Sequence, residues 1–346
     1  MSVVVALDWT PNTNHTGLYI AKARGFYKDE GLDVKLVSPH VNNYKTTPAN
    51  RVALKEALFA ICPSESVISY HTHNGTKPQI RAVATILSTS TSAIVTLDSS
   101  GIDRPAKLEG KLYASYGARY EGRIVQQMII DDGGKGDFVE STPPMLGIWN
   151  TLLEGKADAT WVFMGWEGIE AEMRGVKLNV FKLEDSQVPY GYSPLLVTHP
   201  DTIEGSPDMV RKFLNATSRG YKLAAEHPEE AARIFLEAVQ AEHVDCPLPE
   251  PLDASMVVKS HLYTAQHLLD GQGRWGHQEL KAWDAFLDWL SDRGLLTKKC
   301  QSREQPDTAN FTSLDGLRQG DVGDTIPRNS VDSSSLFTND LLPPSN

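Results

Sequence analysis

Residues 3–37 read VVVALDWTPNTNHTGLYIAKARGFYKDEGLDVKLV. The stretch parses as strand, polar turn, helix and strand, a compressed βαβ unit. Residues 3–7 are a short apolar, β-branched run of the kind a buried parallel strand carries. Asp8, Trp9, Thr10, Pro11 and Asn12 then break it. A strand ending in an acid, an indole and a turn presents polar and aromatic groups at the carboxyl edge of a sheet. The helix is expected from Asn14, as its cap, through Leu18, Tyr19 and Ala21 to Arg24. Gly25 and Gly31 permit the left-handed turns that end its two halves. Residues 33–37 (DVKLV) are the next strand.

Working outward, the same pattern of strand, turn, aromatic or acid, and helix recurs. Residues 59–62 (FAIC) run into Ser64 and Glu65, at the start of a helix whose unpaired N–H groups and dipole suit polar ligand atoms. A simple cap at Ser64 is the alternative reading. Residues 111–115 (KLYAS) run into Tyr116, Gly117, Arg119 and Glu121, where a glycine turn, a helix start and an arginine make a candidate anion site. Residues 158–163 (DATWVF) run into Trp166 and Glu167, with Trp161 expected in the core. Several strand ends that each deliver aromatics or carboxylates are what a cleft between two lobes needs.

Composition limits the function classes. A chain of 346 residues buries a sizeable core. Its formal charge of −11 argues against a nucleic-acid or anionic-membrane surface, so a small-molecule ligand is the expected partner, with a homodimer as a further candidate. Three well-separated cysteines, Cys62, Cys246 and Cys300, fit a reducing compartment better than a disulfide framework. The start MSVVVALDW has no basic and apolar leader, so a cytoplasmic protein is expected, although trimming a leader would leave the same start. No apolar run is long enough to span a bilayer. His71 and His73 would diverge on a helix, and neither an HExxH, a GxSxG elbow nor a P-loop occurs, so no metal site and no turnover motif is expected.

The pattern D-W-x-P-N-x-x-H-x-G-x-Y-x-A, then G-F-Y-x-x-E-G-L-D-V, occupies residues 8–34. It resembles the entry unit of the SsuA/THI5-like (NMT1/THI5-like) family, the periplasmic-type binding proteins that include the thiamine-pyrimidine proteins. The resemblance covers about residues 3–240 and implies an α/β, two-lobed periplasmic-binding-protein-like (type II) fold, with C-terminal helices added. Lobe 1 is then expected to comprise residues 1–95 plus 190–300 and lobe 2 residues 96–189, with crossings near Leu97 and Tyr190. Residues 301–346 read as an extended tail whose apolar end, residues 336–342, docks as a clasp.

The resemblance further implies an aminopyrimidine of thiamine metabolism bound by Asp8, Trp9, Asn14, His15, Ser64, Glu65, Tyr116, Glu121, Trp166, Glu167 and Tyr190. Gly117 and Arg119 remain the candidate anion site. It is the family's ligand-facing position in the turn after residue 62 that favours Glu65. Such a binder needs no cofactor. The same family contains pyrimidine phosphate synthases, which consume pyridoxal phosphate and a histidine with iron. They use a lysine and, four residues on, a histidine, where this chain has Pro63 and Val67. Synthase activity is therefore not expected. A third reading is a binder of a sulfonate or other small metabolite, against which the acids at the strand ends count.

Overall fold

The computed structural model describes residues 1–72, 79–298, 300–301, 311–312 and 323–344. The entry unit folds as its pattern dictates. Strand β1 (Ser2–Ala6) pairs in parallel with β2 (Asp33–Val37), Val3 opposite Val34 and Val5 opposite Leu36. Val3 and Val5 are fully buried. The cap lies two residues earlier than expected. Asn12 Oδ1 accepts the Asn14 N–H at 2.9 Å, and the Asn12 N–H donates to His15 Nδ1 at 3.2 Å. This is a reciprocal capping box with histidine in the place that Glu or Gln usually takes. The helix Thr16–Ala23 follows, and Gly25 and Gly31 take the left-handed conformation, φ +76° and +73°.

Two five-stranded sheets result. The first holds β1, β2, β3 (Phe59–Cys62), β4 (Arg81–Thr85) and β10 (Leu195–Thr198) in the order β2-β1-β3-β10-β4. The second holds β5 (Ser92–Leu97), β6 (Leu112–Ala114), β7 (Val139–Ser141), β8 (Ala159–Phe163) and β9 (Leu178–Lys182) in the order β7-β6-β8-β5-β9. The strand that follows each passage between sheets enters antiparallel, β5 beside β8 and β9, and β10 beside β3 and β4. The passages occupy residues 86–91 and 183–194. Residues 92–95, assigned to the first lobe by the sequence, thus belong to the second sheet. Their unbroken apolar run carries no mark of which sheet it enters; the polar 88–91 turn before them is the true punctuation.

C-terminal helices cover the first sheet. The helix Pro207–Glu226 buries Val210, Phe213, Leu214, Thr217, Tyr221 and Ala224, the face its periodicity predicts. It approaches the Thr16–Ala23 helix closely because a Cβ on Gly17 would fall in the Tyr221 ring, and one on Gly220 would meet the Gly17 carbonyl. Trp283 and Trp289 are core residues, and Trp275 stacks on Tyr221 at 4.8 Å. Residues 323–344 pack against the body and do not extend from it. Ile326, Val331, Leu336 and Leu341 are buried, Arg328 pairs with Asp284 and Asp288 at 2.6 Å, and the Thr338 N–H donates to the Ala82 carbonyl at 2.9 Å. This clasp covers the outer edge of β4, which would otherwise present unpaired backbone groups. His73 and most of residues 301–322 lie outside the described residues.

Candidate functional site

The turn after β1 is built around His15, which is fully buried. Its Nδ1 accepts from the Asn12 N–H, so the proton sits on Nε2 and is donated to Asp8 Oδ1 at 2.8 Å. His15 therefore orients Asp8 and is itself out of reach of a ligand. The Asp8 side chain stays partly exposed, and its Oδ2 has no hydrogen-bond partner among the described residues. Asn14 holds the turn through its carbonyl, which accepts from Tyr221 Oη at 2.7 Å; its side-chain amide makes no hydrogen bond among the described residues.

Trp9 stands next to Asp8 and is half-buried. Its ring lies 5.2 Å from that of Tyr44, tilted by 51°, and 5.5 Å from that of Tyr116, edge-on at 75°. Such separations are those of favourable aromatic pairs. Tyr116 follows β6, so the trio spans both lobes. Tyr44 sits in the polar loop of residues 39–49, in the left-handed region with φ +59°. Sequence reasoning missed it; an aromatic residue inside an otherwise polar loop was the available signal.

A second cluster lies at the end of β3. Glu65 is 2 % exposed. Its Oε2 accepts the Tyr120 backbone N–H at 2.7 Å, and its Oε1 accepts from Tyr190 Oη at 2.7 Å. Burial pushes the carboxyl up to about 7 even though these two hydrogen bonds favour its charged form; Glu121 nearby pushes the same way. Tyr190 packs between Trp161 at 5.2 Å and Phe286 at 5.3 Å. Trp161 is buried as expected, and its ring forms one wall of this cluster.

The remaining expected residues divide. Glu121, also raised by burial, accepts from Tyr113 Oη at 2.7 Å and from the Tyr116 and Ala118 N–H groups at 3.0 and 3.2 Å. It shapes the loop that presents Tyr116. Gly117 takes φ +74° there. Arg119 serves protein partners: Nη1 donates to Thr72 Oγ1 at 2.7 Å and to Ser69 Oγ at 3.3 Å, Nη2 donates to the Thr297 carbonyl, and the guanidinium lies 4.8 Å from the Tyr120 ring centroid. Its guanidinium ties the second lobe to the Ser64–Thr72 helix of the first. Ser64 is fully buried, and its Oγ, beside Gly191, has no hydrogen-bond partner among the described residues, so it does not cap the helix.

Trp166 and Glu167 occupy a single π-type turn, Met164–Gly168. Glu167 accepts its own Phe163 N–H at 3.0 Å, and burial raises its carboxyl to about 7. Trp166 packs on the core of the first lobe. Ser260 joins this turn to the entry unit, donating to the Gly165 carbonyl and meeting Thr13 Oγ1 at 2.7 Å. A cavity of about 250 Å³ adjoins the two passages, lined by Ser88, Ser90, Pro189, Tyr190, Tyr192 and Ala285. A wider hollow of about 420 Å³, lined by Leu97, Arg174 and Lys177 among others, includes none of these residues.

The resemblance puts a synthase's lysine and histidine at Pro63 and Val67, and neither side chain fits that role. Pro63 has no amine, and Val67 is fully buried in the core behind β3. No three His, Cys, Asp or Glu side chains among the described residues converge as a metal site, and no helix among them is long and apolar enough to cross a membrane.

Comparison with known proteins gives four findings. Residues 12–231 match the model of the family described as NMT1/THI5 like. The formylaminopyrimidine-binding protein of Halalkalibacterium halodurans is 25% identical over 316 residues, covering 90% of each chain. A 4-amino-5-hydroxymethyl-2-methylpyrimidine phosphate synthase of Legionella pneumophila is 22% identical, covering 68% of this chain and 73% of its own. Among solved structures, the alkanesulfonate-binding protein SsuA of Xanthomonas axonopodis pv. citri superposes with a TM-score of 0.63 at 11% identity, over 86% of this chain and 94% of that one. The last establishes the type II periplasmic-binding-protein fold.

Proposed function

The chain belongs to the NMT1/THI5-like family, and from that premise we propose that it binds an aminopyrimidine precursor of thiamine between its lobes. The observation that carries this reading is the Trp9–Tyr44–Tyr116 trio beside the Asp8 carboxylate. A flat heterocycle offers a face for stacking and an edge of donors and acceptors. Trp9 supplies the face, the unpaired Asp8 oxygen accepts from an exocyclic amine, and the Asn14 amide can serve a ring nitrogen. Because Tyr116 comes from the second lobe, a ring held against Trp9 draws the lobes together. The formylaminopyrimidine-binding relative supports this ligand class over a sulfonate. A bare anion would meet Asp8 and find both terminal nitrogens of Arg119 already hydrogen-bonded.

The chain is read as a binder, not a synthase, because Pro63 and Val67 lack the nitrogens that the synthase reaction uses. The test is Trp9→Ala, measured by calorimetry with 4-amino-5-hydroxymethyl-2-methylpyrimidine. Losing a stacked ring costs roughly 1–3 kcal/mol, taking base stacking on aromatic residues as the guide. Unchanged affinity in a folded variant would make Trp9 a packing residue.

A further inference from the structure

Given an aminopyrimidine between the lobes, on which this rests, we propose that Tyr44 decides which ring the cleft accepts. Its hydroxyl donates a hydrogen bond to the ring nitrogen beside the ligand's exocyclic amine. Tyr44 is 9 % exposed, yet its Oη has no hydrogen-bond partner among the described residues. A buried hydroxyl left unpaired destabilises the chain that carries it, so phenylalanine would suit the folded protein alone better.

The backbone is held in a costly conformation to place this ring. Asn43 and Tyr44 take φ +53° and +59°, two consecutive non-glycine residues in the left-handed region. Asparagine tolerates that region, whereas a bulky aromatic residue rarely adopts it. The Tyr44 N–H donates to the Pro39 carbonyl at 3.1 Å and the Lys45 N–H to the Asn42 carbonyl at 3.2 Å, which fixes the turn. Tyr44 is buried between exposed Asn43 and Lys45, with its ring 5.2 Å from that of Trp9. Strained residues of this kind persist where the surroundings enforce them, and they cluster at ligand clamps. Burial, then Asp8, then Tyr116 raise the pKa of the hydroxyl, against an opposing contact with the Thr10 backbone. The group thus keeps its proton at neutral pH and stands in the field of the carboxylate that receives the amine.

In a 4-aminopyrimidine the amine donates and the adjoining ring nitrogen accepts. The Asp8 carboxylate can only accept, and the Tyr44 hydroxyl supplies the missing donor, so together they read both atoms of that edge. A ring with C–H in place of the nitrogen would leave the hydroxyl without an acceptor. The test is calorimetry of wild type and Tyr44→Phe, which keeps the aromatic wall. The ligands are 4-amino-5-hydroxymethyl-2-methylpyrimidine and the aminopyridine in which that nitrogen is C–H, which completes a double-mutant cycle. The variant should bind the pyrimidine about tenfold more weakly, bind the aminopyridine as wild type does, and melt no lower than wild type without ligand. A tyrosine with a structural role only would lower the melting temperature and leave the affinity ratio of the two ligands unchanged. Equal affinity of both proteins for the pyrimidine, an equal loss for both ligands, or a lower melting temperature would each overturn the role of Tyr44. The aminopyrimidine reading would then still stand if Trp9→Ala weakened binding. No binding of the pyrimidine to wild type would overturn that reading, and the role of Tyr44 with it.

Discussion

The Glu65 carboxylate, at the end of a strand in the first lobe, accepts the backbone N–H of Tyr120 in the second lobe at 2.7 Å. Its other oxygen takes the Tyr190 hydroxyl from the second passage between the lobes. One buried side chain thus touches both lobes and the segment that joins them. Arg119 crosses the same gap in the opposite direction, from the second lobe to Thr72 and Ser69 of the first. Neither contact needs a ligand, so together they hold the lobes in register around the Trp9 trio.

Stability should depend on pH through Glu65. Burial raises its carboxyl to about 7, so the folded chain holds the proton more tightly than the unfolded one. The resulting stabilisation is complete below the unfolded value near 4.5 and is lost as pH rises to about 7. It amounts to roughly 1–3 kcal/mol. Glu167 acts in the same direction, whereas the buried imidazoles of His71 and His261, lowered to about 4, act against it. The measurement is therefore the melting temperature of wild type against Glu65→Gln from pH 5 to 7.5. A shallower fall in the variant is expected. Parallel curves would mean that Glu65 titrates like an open carboxyl.

Arg119→Met should destabilise the chain by roughly 1.5–3 kcal/mol in urea unfolding, the worth of hydrogen bonds made by a charged group. Millimolar phosphate should stabilise wild type and variant equally, because the two terminal nitrogens of Arg119 are already engaged by Thr72, Ser69 and Thr297. Phosphate stabilising only the wild type would restore the anion-site reading.

Much of this was legible in residues 3–37, because a buried βαβ unit leaves a hydrophobic period, turn glycines and a strand-end motif in consecutive positions. Trp9 and Tyr116 could be singled out because each comes within three residues of a strand end. Glu121 and Glu167 look the same in sequence as Glu65, yet each closes its own turn; only the pairing of strands shows which acid reaches across the lobes. The Asn12 cap was missed because a histidine completes its box. The role of Tyr44 depends on loop placement, which no local period encodes.

Pyridoxal phosphate followed by borohydride should leave no stoichiometric adduct on a cleft lysine, since Pro63 has no amine to form the imine. Mass spectrometry reads the result. A reduced adduct, with loss of a histidine imidazole when iron is added, would return the chain to the synthase reading.

The central claim is the ligand class, and isothermal titration calorimetry of one protein sample with three ligands tests it most directly. A formylaminopyrimidine or 4-amino-5-hydroxymethyl-2-methylpyrimidine should bind with one-to-one stoichiometry, while an alkyl sulfonate and pyridoxal phosphate give no saturable heat. Saturable binding of the sulfonate, with no heat from either pyrimidine, would contradict the account.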